Sequence, residues 1–483
     1  MVQIARHRTA IERNALSRPV RQALADGQIR TDRTFFDYGC GRGGDLARLA
    51  AMGIACSGWD PVHRPTADRA RASVVNLGYV VNVIEDPNER AEVLRAAWAL
   101  AEEVLIVAAR LEVEPRPAVA IDHEDGYVTR RGTFQKLYEQ HELRSWIEST
   151  LGTLSAPAGP GIFYIFRDEG EHQRFLANRQ YHVRSTVRIE RTTDLYEKHK
   201  EILKPLLDFL CLRGRLPQAE ELSESQPILD VFGTIQRAHR VLLNVVDAEQ
   251  WSVVREHRSQ DLLVYLALSR FSQRPKLSAL PSDLQQDIRA FFNSYQAACE
   301  QAEALLFSTG DMPRVDRLCR ESKLGKLTPE ALYIHRSVLP ELDPVLRIYE
   351  GCAQAYIGHV EDANIVKLCR RAPRVSYLSY PDFDSDPHPA LLSSLLVPLQ
   401  TFKIELRTFD PEKNPPILHR KEHFVAASYP LREKFARLTA QEERYGLYEA
   451  PQQIGTRAGW QNILRAKGVT LSGHRVVRQA HSS

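Results

Sequence analysis

The sequence predicts an α/β fold for residues 1–168, a mainly helical middle and a mixed α+β C-terminal region. Three observations lead to this prediction. Short apolar runs alternate with helical patterns up to about residue 168, which is typical of α/β proteins. Helical periodicity dominates residues 169–340, where prolines separate the segments. Strand-like runs and helices mix again in residues 341–483, so we expect three domains in this chain of 483 residues.

The first domain contains five apolar runs with the length and composition of buried strands. They are residues 35–38, 54–59, 74–83, 104–109 and 162–166. A helix is expected to begin after Asp86, because Asp86 can cap it, Pro87 fits the first helical position and Glu89 completes a capping box. A second helical pattern covers residues 133–151. This alternation predicts helices packed on a sheet.

The remaining elements are predicted from periodicity in the same way. In the middle domain, helices are expected over residues 195–212, 228–246, 260–271 and 283–307. In the third domain, strands are expected over residues 375–380 and 402–409, with helices after the proline-rich stretch 410–416.

Composition excludes several classes of protein. The longest apolar stretch, residues 74–84, is far shorter than the roughly 20 residues of a membrane-spanning helix, so no membrane partner is expected. The first residues lack the apolar core of a signal peptide, so we expect a cytoplasmic protein. Seven widely spaced cysteines without a Cys-x-x-Cys pair favour buried thiols over disulfides or a structural zinc site, and no metal site is expected.

Charge is nearly balanced overall but uneven along the chain. Lys and Arg number 64 and Asp and Glu number 61, for a net charge of +3. Seven arginines, including Arg13, lie between Arg6 and Arg33, and no acidic residue follows Glu449. Basic segments near both ends, together with two predicted helices after residue 439, are compatible with contact to DNA. They are equally compatible with solvated basic segments.

A glycine-rich turn after the first predicted strand carries the strongest chemical signal. The pattern is Asp37-x-Gly39-x-Gly41-x-Gly43, in which glycines permit a tight turn and close approach of a ligand to the backbone. It lacks the G-x-G-x-x-G spacing of dinucleotide-binding proteins. The second predicted strand ends in Asp60, 21 positions after Gly39, where a cofactor ribose would present its hydroxyl groups.

This pattern resembles that of class I S-adenosylmethionine-dependent methyltransferases, which implies a Rossmann-like sheet and S-adenosyl-L-methionine as cofactor. More specifically, the chain resembles the DNA phosphorothioation-associated methyltransferases. The residues that carry this resemblance are 58–61 and 75–90, with 332–335, 381–384, His388-Pro389 and 414–422 further along the chain. The resemblance implies a setting beside bacterial systems that replace a non-bridging phosphate oxygen of DNA with sulfur, and proteins of those systems as partners.

The resemblance also implies roles for individual residues. The cofactor side comprises Asp37, Gly39, Cys40, Gly41, Gly43, Asp60, Pro61, Asn76 and Leu77. Within it, the glycine turn would face the methionine part, Asp37 would order the turn or meet the amino group, and Asp60 would take the ribose. On the acceptor side we expect Tyr79, Asn82 and His123 as catalytic residues. His123, in a predicted hairpin turn, is either a general base or a solvated turn residue.

Two departures from the methyltransferase pattern bear on function. Only 14 positions separate Asp60 from Val74, so the third strand is expected to be shortened or missing, and the residue that contacts the adenine is not assigned. In place of the Asp/Asn-Pro-Pro-aromatic motif of DNA amino-methyltransferases stands Asn76-Leu77-Gly78-Tyr79, and the first domain has no Pro-Cys nucleophile. Methylation of DNA bases is therefore not supported by motif.

Three functional hypotheses follow. The leading one is a methyltransferase of phosphorothioation or defence systems that acts on nucleic acid. The alternative is a catalytically degenerate methyltransferase fold that serves as a scaffold or DNA-binding regulator of the same system. The third, a metal-dependent nuclease or other hydrolase, depends only on an acidic loop with Asp382, Asp384, Asp386 and His388, and the prolines that interrupt this loop favour a simple turn.

Overall fold

The computed structural model describes residues 4–10, 14–117, 119–181, 189, 192–222 and 224–478. The chain forms two compact units. The first comprises Met1–Asp168, Cys319–Val338 and Glu350–Ser483, and the second comprises Glu169–Leu318 and Leu339–Tyr349. The division of the sequence into three domains stays a prediction.

Strands and helices alternate through the first part of unit one. The strands are β1 (Phe35–Tyr38), β2 (Cys56–Trp59), β3 (Ala72–Gly78), β4 (Ala101–Ala108), β5 (Ala120–His123), β6 (Gly126–Thr129), β7 (Phe134–Gln135), β8 (Ala156–Gly159) and β9 (Ile162–Phe166). The helices are α1 (Arg18–Ala25), α2 (Gly44–Ala51), α3 (Pro87–Leu100) and α4 (Gln140–Leu151). Each of the five predicted strand regions contains a strand.

Six of these strands form a Rossmann-like sheet in the order β2-β1-β3-β4-β9-β8. The first four strands are parallel, and β9 runs antiparallel to both of its neighbours. This is a doubly wound order without its third strand, since β3 pairs directly with β1 and β2 lies at the edge. Residues 61–71 are all described and form turns and loop, so the predicted absence of this strand is confirmed.

Tertiary contacts changed two local predictions. The Asp86 side chain caps α3 by accepting a hydrogen bond from the Asn88 N–H, but Glu89 binds Arg6 and does not complete a capping box. The helix predicted from residue 133 begins at Gln140, because residues 134–135 form β7. At Glu89 a partner distant in sequence replaced the predicted capping box, and at residues 134–135 pairing with the neighbouring strand β6 replaced the first turns of the predicted helix.

The second unit is helical, as predicted. Its helices are α5 (Glu169–Asn178), α6 (Asp194–Arg213), α7 (Ser225–Phe232), α8 (Ile235–Val245), α9 (Ala248–Leu268), α10 (Ser282–Phe291), α11 (Tyr295–Ser308) and α12 (Met312–Glu321), whose residues from Cys319 onward belong to the first unit. The helix predicted over 228–246 is two helices, because Gly233 adopts a positive φ of 73° and ends the first. No helix in the described part of the chain is long and apolar enough to cross a membrane.

The C-terminal part of unit one contains an antiparallel sheet in the order β10-β11-β12-β13-β14-β15. These strands are β10 (Lys326–Leu327), β11 (Ala331–His335), β12 (Ile365–Cys369), β13 (Arg374–Ser379), β14 (Ser393–Pro398) and β15 (Glu405–Thr408). Helix α13 (Pro344–Ile357) begins in the second unit and belongs to the first from Glu350 onward. The other elements are α14 (Arg432–Arg444), α15 (Arg457–Ala466) and the hairpin β16 (Val469–Leu471) and β17 (Val476–Arg478). Leu438, Trp460 and Val476 belong to one apolar core that joins α14, α15 and the hairpin.

Candidate functional site

The glycine turn between β1 and α2 depends on three left-handed backbone conformations. Gly39, Gly41 and Gly43 have φ values of 86°, 51° and 79°. A Cβ atom on Gly39 would lie 2.5 Å from Cγ2 of Val80, and one on Gly43 would lie 2.4 Å from Nη2 of Arg64. The turn therefore requires glycine for its backbone conformation and for the space that its neighbours occupy.

Two buried polar side chains face each other at the carboxyl ends of β1 and β3. Asp37 and Asn76 are partners in the register of the two strands, and Asn76 Nδ2 donates a 2.8 Å hydrogen bond to Asp37 Oδ1. Both side chains are buried, at 6% and 2% exposure. Asn76 Oδ1 is buried and has no hydrogen-bond partner among the described residues. A buried acceptor without a donor is costly, so this pair is suited to a ligand that donates a hydrogen bond.

Asp60 organises the turn that follows β2. Its Oδ2 accepts a 3.0 Å hydrogen bond from the Gly41 N–H, and its Oδ1 accepts from the N–H groups of Val62 and His63 at 2.9 and 2.8 Å. The carboxylate thus joins the glycine turn to the loop after β2. A carboxylate accepts about four hydrogen bonds, so Asp60 retains capacity for one more donor.

A cleft of about 1240 Å³ opens at this edge of the sheet. Nine of the predicted site residues line it: Asp37, Gly39, Cys40, Gly41, Asp60, Pro61, Asn76, Tyr79 and Asn82. The structure thus brings together residues from the ends of three parallel strands, where open α/β sheets bind ligands. The volume exceeds the usual range for a site that holds one small molecule.

Three predicted site residues do not line the cleft. Gly43 precedes α2 and serves as its left-handed cap. Leu77 is fully buried in the core, because adjacent residues of a strand point to opposite faces and Asn76 faces the cleft. His123 lies at the end of β5, with its ring 6.2 Å from the ring of Phe134. Leu77 and His123 thus do not line this cleft, and the roles expected for them stay predictions.

The loop after β3 places Tyr79 and Asn82 at the cleft. Tyr79 has a φ of 62°, unusual for a residue with a side chain, and its N–H donates to the Ala108 carbonyl at 2.8 Å. Asn82 is 1% exposed and donates through Nδ2 to Gln135 Oε1 at 3.0 Å. Asn82 Oδ1, like that of Asn76, is buried without a partner among the described residues. Strained backbone and unpaired polar atoms concentrate at functional sites.

Cys40 is not suited to act as a nucleophile. It lies in the glycine turn, where burial raises the pKa of its thiol to about 12. The carboxylate of Asp37 raises it further by disfavouring a second negative charge nearby. Since the thiolate is the reactive form, this cysteine stays protonated at neutral pH.

The segment before α1 forms a wall of the cleft that the sequence did not predict. Arg6 forms ion pairs with Glu85 and Glu89, at 2.8 and 2.7 Å. Burial alone would raise the pKa of Glu85, but hydrogen bonds from Arg6 hold it below its usual value. Ala10 packs near Gly41, and the Ser17 N–H donates to Asp45 at 2.9 Å. These partners are tens of residues apart, so no local pattern indicated them.

The predicted basic segments are partly neutralised. Of the N-terminal arginines, Arg21, Arg30 and Arg33 form ion pairs with Glu361, Asp32 and Glu103, respectively. Arg13 lies outside the described residues. At the C-terminal end, Lys467 pairs with Glu449, whereas Arg465 donates to the amide of Asn462.

The acidic loop considered for metal binding has other partners. Asp384 accepts a hydrogen bond from the Tyr429 hydroxyl, and Asp386 accepts from the backbone N–H of His388. Among the described residues, no three His, Cys, Asp or Glu side chains are arranged to hold a metal ion. The loop is a turn held by hydrogen bonds from Tyr429 and Lys421 as well as by its own.

A buried polar cluster lies behind this loop. His388 Nε2 lies 3.0 Å from Glu442 Oε1, and the Tyr448 hydroxyl donates to Glu442 Oε2 at 2.6 Å. The rings of His388 and His419 are 4.4 Å apart. Burial lowers the pKa of both histidines to about 3 and raises the pKa of Glu442 to about 7. The segments 381–389 and 414–422 that the sequence singled out thus meet in the core.

The solved structures that this chain resembles each match about a third of its length. No protein-family model and no curated protein matches the sequence. Similar solved structures include the 1,6-didemethyltoxoflavin-N1-methyltransferase of Burkholderia thailandensis with bound S-adenosylhomocysteine, at 12% identity over 31% of this chain and 79% of that one, with a TM-score of 0.23. A sugar N-methyltransferase from Streptoalloteichus is 15% identical over 33% of this chain and 96% of its own, with a TM-score of 0.25.

A third solved structure of this kind is the magnesium protoporphyrin IX methyltransferase of Synechocystis with bound S-adenosylhomocysteine. It is 16% identical over 31% of this chain and 80% of its own length, with a TM-score of 0.23. The strand order and the glycine turn show the Rossmann-like fold of residues 1–168. The chain is similar to these methyltransferases over about a third of its length.

Proposed function

We propose that this chain is an S-adenosylmethionine-dependent methyltransferase that acts on nucleic acid in association with DNA phosphorothioation systems. One observation carries the cofactor assignment. The glycine turn and the Asp37–Asn76 pair meet in a large cleft at the carboxyl ends of parallel strands, and the pair presents an unused buried acceptor.

The residues present fit the cofactor. Asn76 Oδ1 and the Asp37 carboxylate are acceptors, so they would hold the ammonium group of the methionine part. Gly39 leaves the backbone bare where a side chain would strike Val80. Asp60 keeps one acceptor position for a ribose hydroxyl beside its three backbone hydrogen bonds.

S-adenosylmethionine supplies a methyl group already activated by its sulfonium, so the protein's contribution is chiefly to position the acceptor. Tyr79 and Asn82 line the cleft beside Asn76 and would contact the acceptor. The unused amide oxygen of Asn82 would accept a hydrogen bond from an N–H or O–H group there. The left-handed backbone of Tyr79 fixes where this loop leaves β3.

Support for a nucleic-acid partner comes from α15 and the β16–β17 hairpin. Residues 450–478 contain no acidic residue. Gln461, Asn462 and Arg465 are exposed on α15, and Arg475 and Arg478 are exposed on the hairpin. Exposed arginines and amides are complementary to the phosphate backbone and to base edges. The two helices are joined by residues 445–456, a longer connection than that of a helix-turn-helix.

The phosphorothioation setting is supported by the resemblance of residues 58–61 and 75–90 and of the later segments. It makes duplex DNA, with or without sulfur in its backbone, the first acceptor to examine. The competing function is a methyltransferase fold that binds cofactor and DNA but transfers no methyl group. It is favoured by one observation, the absence of an acceptor motif at Asn76-Leu77-Gly78-Tyr79.

Three measurements on the full chain separate these functions. Calorimetry with S-adenosylmethionine should detect binding, and its absence would overturn the cofactor assignment. Transfer of a radiolabelled methyl group is then measured to phosphorothioated duplex DNA, unmodified duplex DNA, RNA and mixed protein. Transfer to DNA supports the proposal, and transfer to protein alone overturns the acceptor class. Binding without any transfer supports the scaffold.

Fluorescence anisotropy with a duplex oligonucleotide tests the surface itself. Arg465→Gln and Arg475→Gln should each weaken binding and reduce the slope of log affinity against log salt by about 1. Arg437→Gln is the matched control, because Arg437 is an exposed arginine of α14 paired with Glu433. Equal effects of all three variants would contradict a role for α15 and the hairpin.

A further inference from the structure

The helical second unit contains a cleft with an unusual lining. It has a volume of about 550 Å³ and lies among α6, α8, α9 and α10. Three arginines and a histidine line it, and no Asp or Glu does. Elsewhere in the same unit, buried arginines are paired with carboxylates, as Arg258 is with Asp287 at 2.6 Å. The absence of acids from this lining therefore distinguishes it from its surroundings.

Only one of the three arginines is paired with a carboxylate among the described residues. Arg215 is neutralised by Asp287 and Glu221, both at 2.6 Å. Arg255 donates only to a neutral partner, the Ala290 carbonyl, at 2.7 Å. Neither Arg255 nor Arg289 has a carboxylate within ion-pair distance in the parts of the chain that the structure describes. Two exposed guanidinium groups beside one cleft favour an anion, and their planar shape suits a phosphate group.

The inner part of the lining supplies a ring-binding surface. Trp251 lines the cleft, and its indole N–H is buried without a hydrogen-bond partner among the described residues. His239 also lines the cleft, and burial lowers the pKa of its imidazole, which keeps the ring neutral at pH 7. Leu210, Leu216 and Leu243 supply apolar contacts. This wall suits a planar heterocycle that accepts one hydrogen bond.

We propose that this cleft binds a phosphorylated ligand of mononucleotide size, with its phosphate at Arg255 and Arg289 and its ring against Trp251. The volume lies within the range of about 300–1,000 Å³ for small-molecule sites. The site belongs to the second unit alone, and it does not depend on the function proposed for the first.

Equilibrium dialysis of the full chain tests this site. The probes are adenosine monophosphate, adenosine and inorganic phosphate, each with saturating S-adenosylhomocysteine present to block the cleft of the first unit. Adenosine monophosphate should bind at least 10-fold more tightly than either of the other two probes. Equal binding of adenosine and its monophosphate would overturn the phosphate assignment. Inorganic phosphate binding as tightly as the nucleotide would overturn the size assigned to the ligand.

Variants identify the residues responsible. Arg289→Gln and Arg255→Gln should each weaken binding of the monophosphate about 10-fold or more, as expected for a lost charge-assisted hydrogen bond. Arg317→Gln, an exposed arginine of α12 outside the cleft, should leave it unchanged. Trp251→Phe keeps an aromatic ring but removes the N–H, so it should weaken the nucleotide and not inorganic phosphate. Identical affinity in Arg289→Gln and Arg317→Gln would overturn the site.

Discussion

Asn76 Nδ2 donates a 2.8 Å hydrogen bond to Asp37 Oδ1 between neighbouring parallel strands, at the point where both strands reach the cleft. The bond fixes the orientation of the amide, and the opposite amide oxygen is then left without a donor. Asn76 thus stabilises the fold through Nδ2 and offers an acceptor at the cleft through Oδ1. A change at this position is expected to affect stability and ligand binding separately.

Replacement of Asn76 by alanine removes both functions. The Asp37 carboxylate loses a buried donor, which should lower the free energy of unfolding by about 1–3 kcal/mol. Affinity for S-adenosylmethionine should fall about 10-fold or more, because the acceptor at Oδ1 is lost. Urea denaturation and calorimetry measure the two effects. Ser73→Ala is the control, since Ser73 lies in the same strand away from the cleft. Unchanged affinity in Asn76→Ala would exclude a contact with the cofactor.

Alanine substitutions at two glycines distinguish the cost of a left-handed backbone from the cost of a steric clash. Gly39 and Gly53 have similar φ values of 86° and 80°, but a Cβ would strike Val80 only at Gly39. Gly53→Ala should therefore cost about 1 kcal/mol for its left-handed backbone alone. Gly39→Ala should cost more, because Val80 must also move, and it should abolish S-adenosylmethionine binding. Thermal unfolding and calorimetry of the pair provide the comparison, and equal losses in both would contradict the tight turn.

Arg6 is expected to matter for cofactor retention more than for stability. Its ion pairs with Glu85 and Glu89 are partly exposed, and such pairs contribute at most about 1 kcal/mol. Arg6→Gln should leave the urea midpoint nearly unchanged but speed dissociation of S-adenosylmethionine several-fold, since the segment forms a wall of the cleft. Stopped-flow dissociation measures this effect. Arg30→Gln breaks an exposed pair with Asp32 and should not change the rate.

The sequence predicted those features of the site that depend on local backbone conformation. Glycines at 39, 41 and 43 were identifiable because only glycine adopts three left-handed conformations in so short a turn. The absent third strand was predictable from the distance between Asp60 and Val74. Strand alternation also places Leu77 on the face opposite Asn76, and Leu77 is buried away from the cleft, so its expected role beside the cofactor stays a prediction.

Features that depend on distant partners were not predictable. Nothing near Arg6 in the sequence indicates Glu85, and the pair forms only because the sheet brings α3 beside the N-terminal segment. Asp60 was expected to face a ribose, but its first partners are three backbone N–H groups of adjoining turns. Glu442 shows the same limit, since its partner His388 lies in another loop.

The buried histidines of the C-terminal region should make the protein sensitive to acid. Burial lowers the pKa of His388 and His419 from 6.5 to about 3, so the unfolded chain binds more protons than the folded chain between these values. Stability should therefore fall as the pH drops below about 6.5, by about 1.4 kcal/mol per pH unit for each histidine. The pKa of Glu442 is raised from 4.5 to about 7, so its protonation stabilises the folded chain at low pH and this stabilisation is lost as the pH rises through that range. Glu442 therefore offsets the effect of one histidine.

Replacement of one histidine isolates this effect. His419→Gln removes one titrating group and can keep a donor for the Ile454 carbonyl, to which His419 Nε2 lies at 2.6 Å. The free energy of unfolding is measured by urea denaturation at pH 7.5 and pH 5.0. Its decrease between these two pH values should be about 2 kcal/mol smaller in this variant than in the unchanged protein. Gln461→Ala is the control, because Gln461 is exposed and its side chain does not titrate, so the difference should be unaltered. A variant with the full pH dependence would show that His419 is not buried in its neutral form.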